Sequence, residues 1–141
     1  MENNNPGHGY IRLKATVLFN NLLHDRRLQA DWGFSCLLQG LERTILFDTG
    51  LNGAGTTAAL QAAGYTAEQI DKVVITHMHG DHIGGLTQED GTPTFANARY
   101  VAGQAEFDYW AGQGNDGFEA KVRPLAEKIT FIGDGEEAVS G

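Results

Sequence analysis

Apolar and polar residues alternate along several short stretches of this chain, and the alternation predicts β-strands. In the first stretch, residues 11–19, the predicted buried face comprises Ile11, Leu13, Ala15, Val17 and Phe19. Two further apolar runs, residues 34–39 and 44–47, are joined by a short segment that contains Gly40 and predict a hairpin. Residues 72–76 carry three consecutive aliphatic side chains, Val73, Val74 and Ile75, and predict a buried strand.

Helical signals follow these strands. Residues 57–63 are rich in alanine and end at Gly64, which predicts a helix, while Gly53 and Gly55 before it indicate a flexible turn. Residues 66–69 have the form of a capping box and predict a very short helix. Helices predicted over 104–110 and 118–128, the latter divided at Pro124, alternate with strands over 99–102 and 130–132. This order predicts a mixed α/β (α+β) fold in layers, whose sheet begins as antiparallel hairpins.

Length and charge limit the function classes. The chain has 141 residues, enough for one domain with a core. Its net charge of −8 disfavours nucleic acid or an anionic membrane as the main partner, and we expect a small-molecule substrate instead. The single cysteine, Cys36, excludes an intrachain disulfide and is interpreted as a small buried hydrophobe. The amino terminus lacks the pattern of a signal peptide, so we expect a cytoplasmic location.

The chain divides into three predicted parts. Residues 1–9 are interpreted as a disordered tail, residues 10–132 as the domain, and residues 133–141 as an acidic tail or a truncation point. Residues 20–31 predict a polar loop, in which His24 is interpreted as a surface histidine. Four aromatic residues are predicted to lie in the core or in a pocket wall: Trp32, Phe107, Tyr109 and Trp110.

Three of the five histidines and one aspartate fall within six residues, directly after the strand predicted over 72–76. These are His77, His79, Asp81 and His82. Neutral imidazole is a leading ligand of divalent transition metals, and a nearby carboxylate can bind the metal and orient its water. On an extended segment His77 and His79 point the same way, and Gly80 permits a turn that directs Asp81 and His82 to an adjacent point. The spacing therefore predicts two neighbouring metal sites that could share one hydroxide.

The sequence THMHGDHIGGL, residues 76–86, resembles the signature of the metallo-β-lactamase superfamily. Residues 45–50, ILFDTG, resemble the strand that precedes the signature in that family. The resemblance implies a four-layer αβ/βα sandwich with two zinc ions at one edge, or iron or manganese in their place. It also implies that His77 and His79 bind the first metal, that Asp81 and His82 bind the second, and that Asp48 supports the cluster without binding metal.

The chain departs from the family pattern after the signature. The family has further metal ligands downstream, a histidine, a bridging aspartate and a final histidine, whereas no histidine follows His82 here. The resemblance therefore implies that the chain covers about the first half of the sandwich. We expect that half to pair face to face with a second copy, or to need a missing C-terminal half. Pairing would bury Val17, Leu37, Leu46 and Val74, or their neighbours on the other face of the sheet.

Three functional hypotheses follow. The first is a metal-dependent hydrolase, in which a metal-bound hydroxide oriented by Asp81 attacks an ester, lactone, thioester or phosphoester. The second is a metal-binding or catalytically incomplete half-domain that needs a second chain or the missing half. The third is an iron-dependent redox enzyme on the same fold. The residues after the signature resemble lactonase-like members and the amino-terminal part resembles another branch, so the sequence does not select a substrate.

Overall fold

The computed structural model describes residues 12–20, 32–40 and 42–139. The tail over 1–9 and most of the loop over 20–31, with His24, lie outside the described residues. The described strands form one six-stranded sheet in the order of the sequence. Their bounds are β1 Lys14–Asn20, β2 Phe34–Gln39, β3 Ile45–Phe47, β4 Lys72–Ile75, β5 Arg99–Gly103 and β6 Ile129–Ile132. The two pairings from β1 to β3 are antiparallel and the next three are parallel, which confirms the predicted mixed α/β fold.

Four α-helices and two 3₁₀ segments connect the described strands. The helices are α1 Gly53–Ala62, α2 Gly80–Ile83, α3 Gln104–Ala111 and α4 Asp116–Lys121, and the 3₁₀ segments are Ala67–Gln69 and Arg123–Lys128. Helix α1 begins four residues before the prediction, because the Asn52 side chain caps it by accepting a hydrogen bond from the Gly55 amide at 2.7 Å. Gly53 and Gly55 therefore lie in the first turn of a helix, and the predicted flexible turn is wrong. The pattern did not predict α2, which has a single turn.

The main core lies between the helices and one face of the sheet. Leu37, Leu46 and Tyr100 project from the sheet and are completely buried, together with Leu60 of α1 and Phe118 of α4. Burial of side chains of this size stabilises the fold by about 1.5–3 kcal/mol each. Since Leu37 and Leu46 are already covered by helices, they cannot join an interface between two copies; only their neighbours on the opposite face remain available for one.

Two of the apolar residues predicted to be buried at β1 lie away from the main core. Leu13 and Val17 are 57% and 50% exposed, whereas Leu18 is buried in the main core. The predicted buried face is therefore wrong at Leu13 and Val17, while Ile11 and the Phe19 side chain lie outside the described part of the chain. Leu18 enters the core because the register with β2 shifts between Val17 and Phe19, so the residue between them faces the helices.

The second face of the sheet carries a smaller apolar cluster. Ile45, Val74 and Val101 form its buried centre, and the chain after β6 crosses it with Ala138 and Val139. The Lys72 ammonium donates a hydrogen bond to the Ala138 carbonyl at 3.2 Å, which holds this segment on the sheet. No helical residue joins the cluster in the described part of the chain. The domain boundary at 132 stays a prediction.

Among the described residues, no helix combines the length and the apolar character needed to cross a membrane. The cytoplasmic location stays a prediction.

Candidate metal centre

The candidate centre lies where β3 and β4 end side by side. These two strands are parallel, so their carboxyl ends lie side by side. Asp48 directly follows β3 and Thr76 directly follows β4 at that end of the sheet. The Asp48 amide donates to the Val74 carbonyl at 2.9 Å, which continues the pairing past the end of β3. The parallel register thus brings the two sequence motifs together, although 25 or more residues separate them in the chain.

Asp48 organises this edge through both of its carboxylate oxygens. Oδ1 accepts from the Thr76 amide at 2.8 Å, and Oδ2 accepts from the Thr76 hydroxyl at 2.6 Å. Oδ2 also lies 2.9 Å from Nδ1 of His82, which makes Nδ1 the protonated nitrogen of that ring. Asp48 is fully buried and has a φ of 52°, a conformation that Asp and Asn adopt more readily than most residues. Both Asp48 carboxylate oxygens therefore have a hydrogen-bond donor, while the supporting role of Asp48 stays a prediction.

The four predicted ligands lie together after β4. The His77 ring is 3.9 Å from the His82 ring and 4.9 Å from the His79 ring, measured between centroids. Asp81 and His82 sit in the single turn of α2, where Nε2 of His82 is 3.7 Å from Oδ2 of Asp81. The structure thus brings all four side chains to one small region at the edge of the sheet.

The donor atoms of Asp81 and His82 lie close enough together to bind one divalent transition metal. Among the described residues, the donor atoms of Asp48, His77 and His82 lie within 4.8 Å of one another, a group that includes Asp48 and leaves out the predicted ligands His79 and Asp81. Two atoms bound to one zinc at about 2.0–2.2 Å can be at most about 4.4 Å apart. The 3.7 Å between Nε2 of His82 and Oδ2 of Asp81 lies below that limit and is too long for a hydrogen bond. Because Nδ1 of His82 is held by Asp48, Nε2 is the nitrogen left for a metal.

The loop after β3 packs closely against α2 and the residues that follow it, through hydrogen bonds of Thr49 and through two glycines. The Thr49 amide and hydroxyl both donate to the His82 carbonyl, at 2.8 and 2.9 Å. Thr49 Oγ1 also accepts from the Gly85 amide at 3.1 Å. A Cβ on Gly84 would collide with the Leu51 carbonyl, and one on Gly85 with the Thr49 carbonyl. The paired glycines of the signature are therefore required by this close packing.

The residues just before β2 form another side of the centre. Gly33 has a φ of 129°, and a Cβ on it would collide with the carbonyl oxygen of Asp81. The next residue, Phe34, places its ring 6.4 Å from the His82 ring. The Phe34 carbonyl accepts from the Gly50 amide at 3.0 Å, which ties this segment to the loop after β3.

Sequence reasoning missed two contacts that α3 makes at the cluster. Glu106 accepts a hydrogen bond from the Met78 amide at 2.8 Å, and the Trp110 ring meets the His79 ring edge-on at 5.5 Å. Their spacing of four along a helix places them on one face, but only the tertiary structure shows that this face meets the histidines.

The remaining sequence expectations concern side chains around the centre. Phe107 and Trp110 are partly buried against the main core, as predicted. Trp32 and Tyr109 are 66% and 59% exposed, so a core position is wrong for them. Cys36 is half-buried rather than buried as predicted, and the partial burial raises the pKa of its thiol.

The family model of the metallo-β-lactamase superfamily matches residues 33–140. Exodeoxyribonuclease WalJ of Streptococcus pneumoniae serotype 2 (strain D39 / NCTC 7466) is 34% identical over 104 residues, which cover 72% of this chain and 35% of WalJ.

Two solved structures share the fold at lower identity. The hydrolase AbOPH of the beta lactamase superfamily gives a TM-score of 0.66 at 21% identity. AidC, a dizinc quorum-quenching lactonase, gives 0.60 at 22% identity. Each comparison covers 74% of this chain and 44% of the other, so the chain spans less than half the length of these proteins. The match over residues 33–140 includes both motifs that converge at the edge of the sheet, and the chain belongs to the metallo-β-lactamase superfamily.

Proposed function

We propose that this chain provides half of the active centre of a metal-dependent hydrolase. The observation that carries the proposal is the convergence of His77, His79, Asp81 and His82 at the end of β4. When bound, the metal ions supply a water of near-neutral pKa as the nucleophile. The reaction class is hydrolysis of an ester, lactone, thioester or phosphoester.

Each side chain has a proposed role in this reaction. His77 and His79 hold the first metal, and Asp81 and His82 hold the second. Asp81 also orients the nucleophile, because its carboxylate lies 3.7 Å from Nε2 of His82. Asp48 keeps the His82 proton on Nδ1, so that Nε2 presents a lone pair towards Asp81.

Zinc is the proposed metal, with two ions in a complete centre. A set of imidazoles with one carboxylate suits zinc, and AidC, which shares the fold, is described as a dizinc protein. Iron and manganese are the alternatives. The identity of the metal separates hydrolysis from the third hypothesis, iron-dependent redox chemistry on the same fold.

The proposed substrate is a small molecule. The net charge of −8 opposes binding of a polyanion, and two cations of the described sheet lie at the end of the strands opposite the histidines. Lys72 and Arg99 are the first residues of β4 and β5, whereas the histidines follow the last residue of β4. The similarity to WalJ, an exodeoxyribonuclease, favours a second candidate, hydrolysis of a phosphodiester.

A complete centre needs more metal ligands than His77, His79, Asp81 and His82 provide. Two imidazoles are fewer than the three protein ligands usual at a catalytic zinc, and no histidine follows His82 in this sequence. A second copy or a C-terminal half is proposed to supply the rest. The competing proposal is an inert half-domain that binds metal weakly and has no turnover.

Metal content, particle mass and turnover measured together test the proposal. The protein is loaded with zinc, iron or manganese, and assayed with p-nitrophenyl acetate, an acyl homoserine lactone and bis(p-nitrophenyl) phosphate. The proposal expects a dimer with two metals per chain and turnover that Asp81→Asn removes. A folded monomer with substoichiometric zinc and no turnover would support the inert half-domain instead.

A further inference from the structure

One carboxylate oxygen on α3 makes two hydrogen bonds next to the histidine cluster. Oε1 of Glu106 accepts from the Met78 amide at 2.8 Å and from the Trp110 indole nitrogen at 2.8 Å. Both distances are typical of strong hydrogen bonds to a charged acceptor. Glu106 is half-buried, so the carboxylate is partly shielded from competing water.

The first of these bonds fixes the backbone between two proposed ligands. Met78 separates His77 from His79, and its own side chain is buried in the main core with 1% exposure. Its amide has no place in the sheet, because β4 ends at Ile75, and Glu106 satisfies it instead. Holding Met78 by its side chain and its amide sets the directions in which the two flanking imidazoles leave the chain.

The second bond fixes the aromatic wall beside one of those imidazoles. Trp110 follows Glu106 by four residues on α3, and its ring meets the His79 ring edge-on at 5.5 Å and 81°. The hydrogen bond from the indole nitrogen selects the orientation of the tryptophan ring. His79, which is itself exposed, is therefore restrained by a ring that Glu106 holds in place.

We propose that Glu106 is a positioning residue for the metal centre, which it preorganises through Met78 and Trp110. This inference rests on the proposed function, in which His77 and His79 bind the first metal. Glu106 is not itself a ligand in this proposal. It acts by holding two groups that restrict the backbone and the ring of the ligands, as partners around metal ligands commonly do.

Four variants separate this role from a merely structural one. Glu106→Ala removes the acceptor, Glu106→Gln keeps an acceptor oxygen of similar reach, and Trp110→Phe keeps a ring but removes its donor. Asp108→Ala is the matched control, because Asp108 is an exposed acid on the same helix that accepts only from Gln104. Each protein is examined without metal by amide hydrogen exchange, and with Co²⁺ and Zn²⁺ by chelator competition and by the visible spectrum of the cobalt form.

The metal-free measurement tests the positioning alone. Exchange of the Met78 amide should accelerate about tenfold in Glu106→Ala and stay near the wild-type rate in Glu106→Gln and Asp108→Ala. The metal titration tests whether this positioning affects the affinity for the metal. The dissociation constant should rise about 10–100-fold in Glu106→Ala with an altered cobalt spectrum, rise by a smaller factor in Trp110→Phe, and change less than about threefold in Glu106→Gln.

The outcomes distinguish this inference from the proposed function. A folded Glu106→Ala protein with the wild-type cobalt spectrum and affinity would overturn the inference and leave the proposed function intact. A Glu106→Gln protein as weak in metal binding as Glu106→Ala would also overturn it, because charge rather than hydrogen bonding would then be required. A wild-type protein that binds no metal would refute the proposed function, while unchanged Met78 exchange in Glu106→Ala would refute the positioning by itself.

Discussion

Asp48→Asn tests the control that Asp48 exerts over His82. The amide has the same shape and tolerates the φ of 52° that this position requires. Its oxygen can still accept from the Thr76 amide. Its NH₂ group, however, replaces Oδ2, the acceptor that faces both the Thr76 hydroxyl and Nδ1 of His82. The hydroxyl can rotate to accept, but His82 can accept at Nδ1 only if its proton moves to Nε2.

Asp48→Asn should affect metal binding more than it affects the stability of the fold. The fold keeps all three contacts, two with reversed direction, and exchanges charge-assisted bonds for neutral ones, so the free energy of unfolding should fall by about 1–2 kcal/mol. Metal binding should suffer more, because a protonated Nε2 cannot act as a ligand. We expect the dissociation constant of the second metal to rise about 100-fold, the upper end for loss of a partner that orients a ligand.

The assay combines ring-nitrogen NMR of His82 in the metal-free protein with metal titration by chelator competition. Asp71→Asn is the matched control: Asp71 accepts from the Thr44 amide at 2.7 Å, at the opposite end of β3 and β4 from the histidines. The control should bind metal as the wild type does. If Asp48→Asn shows the proton on Nε2 and yet binds metal with wild-type affinity, Nε2 of His82 is not a ligand and the reasoning fails.

Other perturbations test other parts of the centre. His77→Ala should abolish high-affinity binding of the first metal, because the described cluster has no spare imidazole; unchanged metal content by elemental analysis would refute its assignment. Asp81→Asn should keep the fold, loosen the second metal and strongly reduce any hydrolysis, and wild-type turnover would exclude its role. Gly84→Ala should lower the free energy of unfolding in denaturant titrations by about 2 kcal/mol or more, since its Cβ would meet a backbone carbonyl; an unchanged midpoint would contradict the close packing. The isolated chain should not be a monomer, because Val17 and Phe47 lie on the sheet face that no described helix covers. Light scattering is expected to give at least a dimer mass, and a monomer without binding of a hydrophobic dye would contradict this.

The positions of the strands along the chain were predicted better than the sides on which their side chains are buried. Strands β2 to β5 were located to within one or two residues, because their apolar runs are bounded by clear turn and cap residues. The buried side of β1 was predicted wrongly, because alternation shows that one face is apolar but not which layer covers it. Leu13 and Val17 belong to the face that carries Phe47 and Val74, and only the sheet order shows this.

The four predicted ligands could be picked out from sequence because they are local, and their binding of metal stays a prediction. They lie within six residues, so the end of one strand and the turn of α2 suffice to bring them together. Glu106 could not be found in this way, because its contact with Met78 spans 28 residues and depends on how α3 packs against β5. A residue proposed to position ligands, such as Glu106, is thus harder to predict from sequence than the candidate ligands.

The two sequence motifs behave as one physical unit, which explains why their joint presence identifies the fold so well. Thr49 donates two hydrogen bonds to the His82 carbonyl, and Asp48 contacts the ring of the same histidine. Gly84 and Gly85 are required because backbone carbonyls of the loop after β3 occupy the space of their missing side chains. A change in either motif therefore displaces the other, and a chain that keeps both has kept the geometry that places His82 against Asp81.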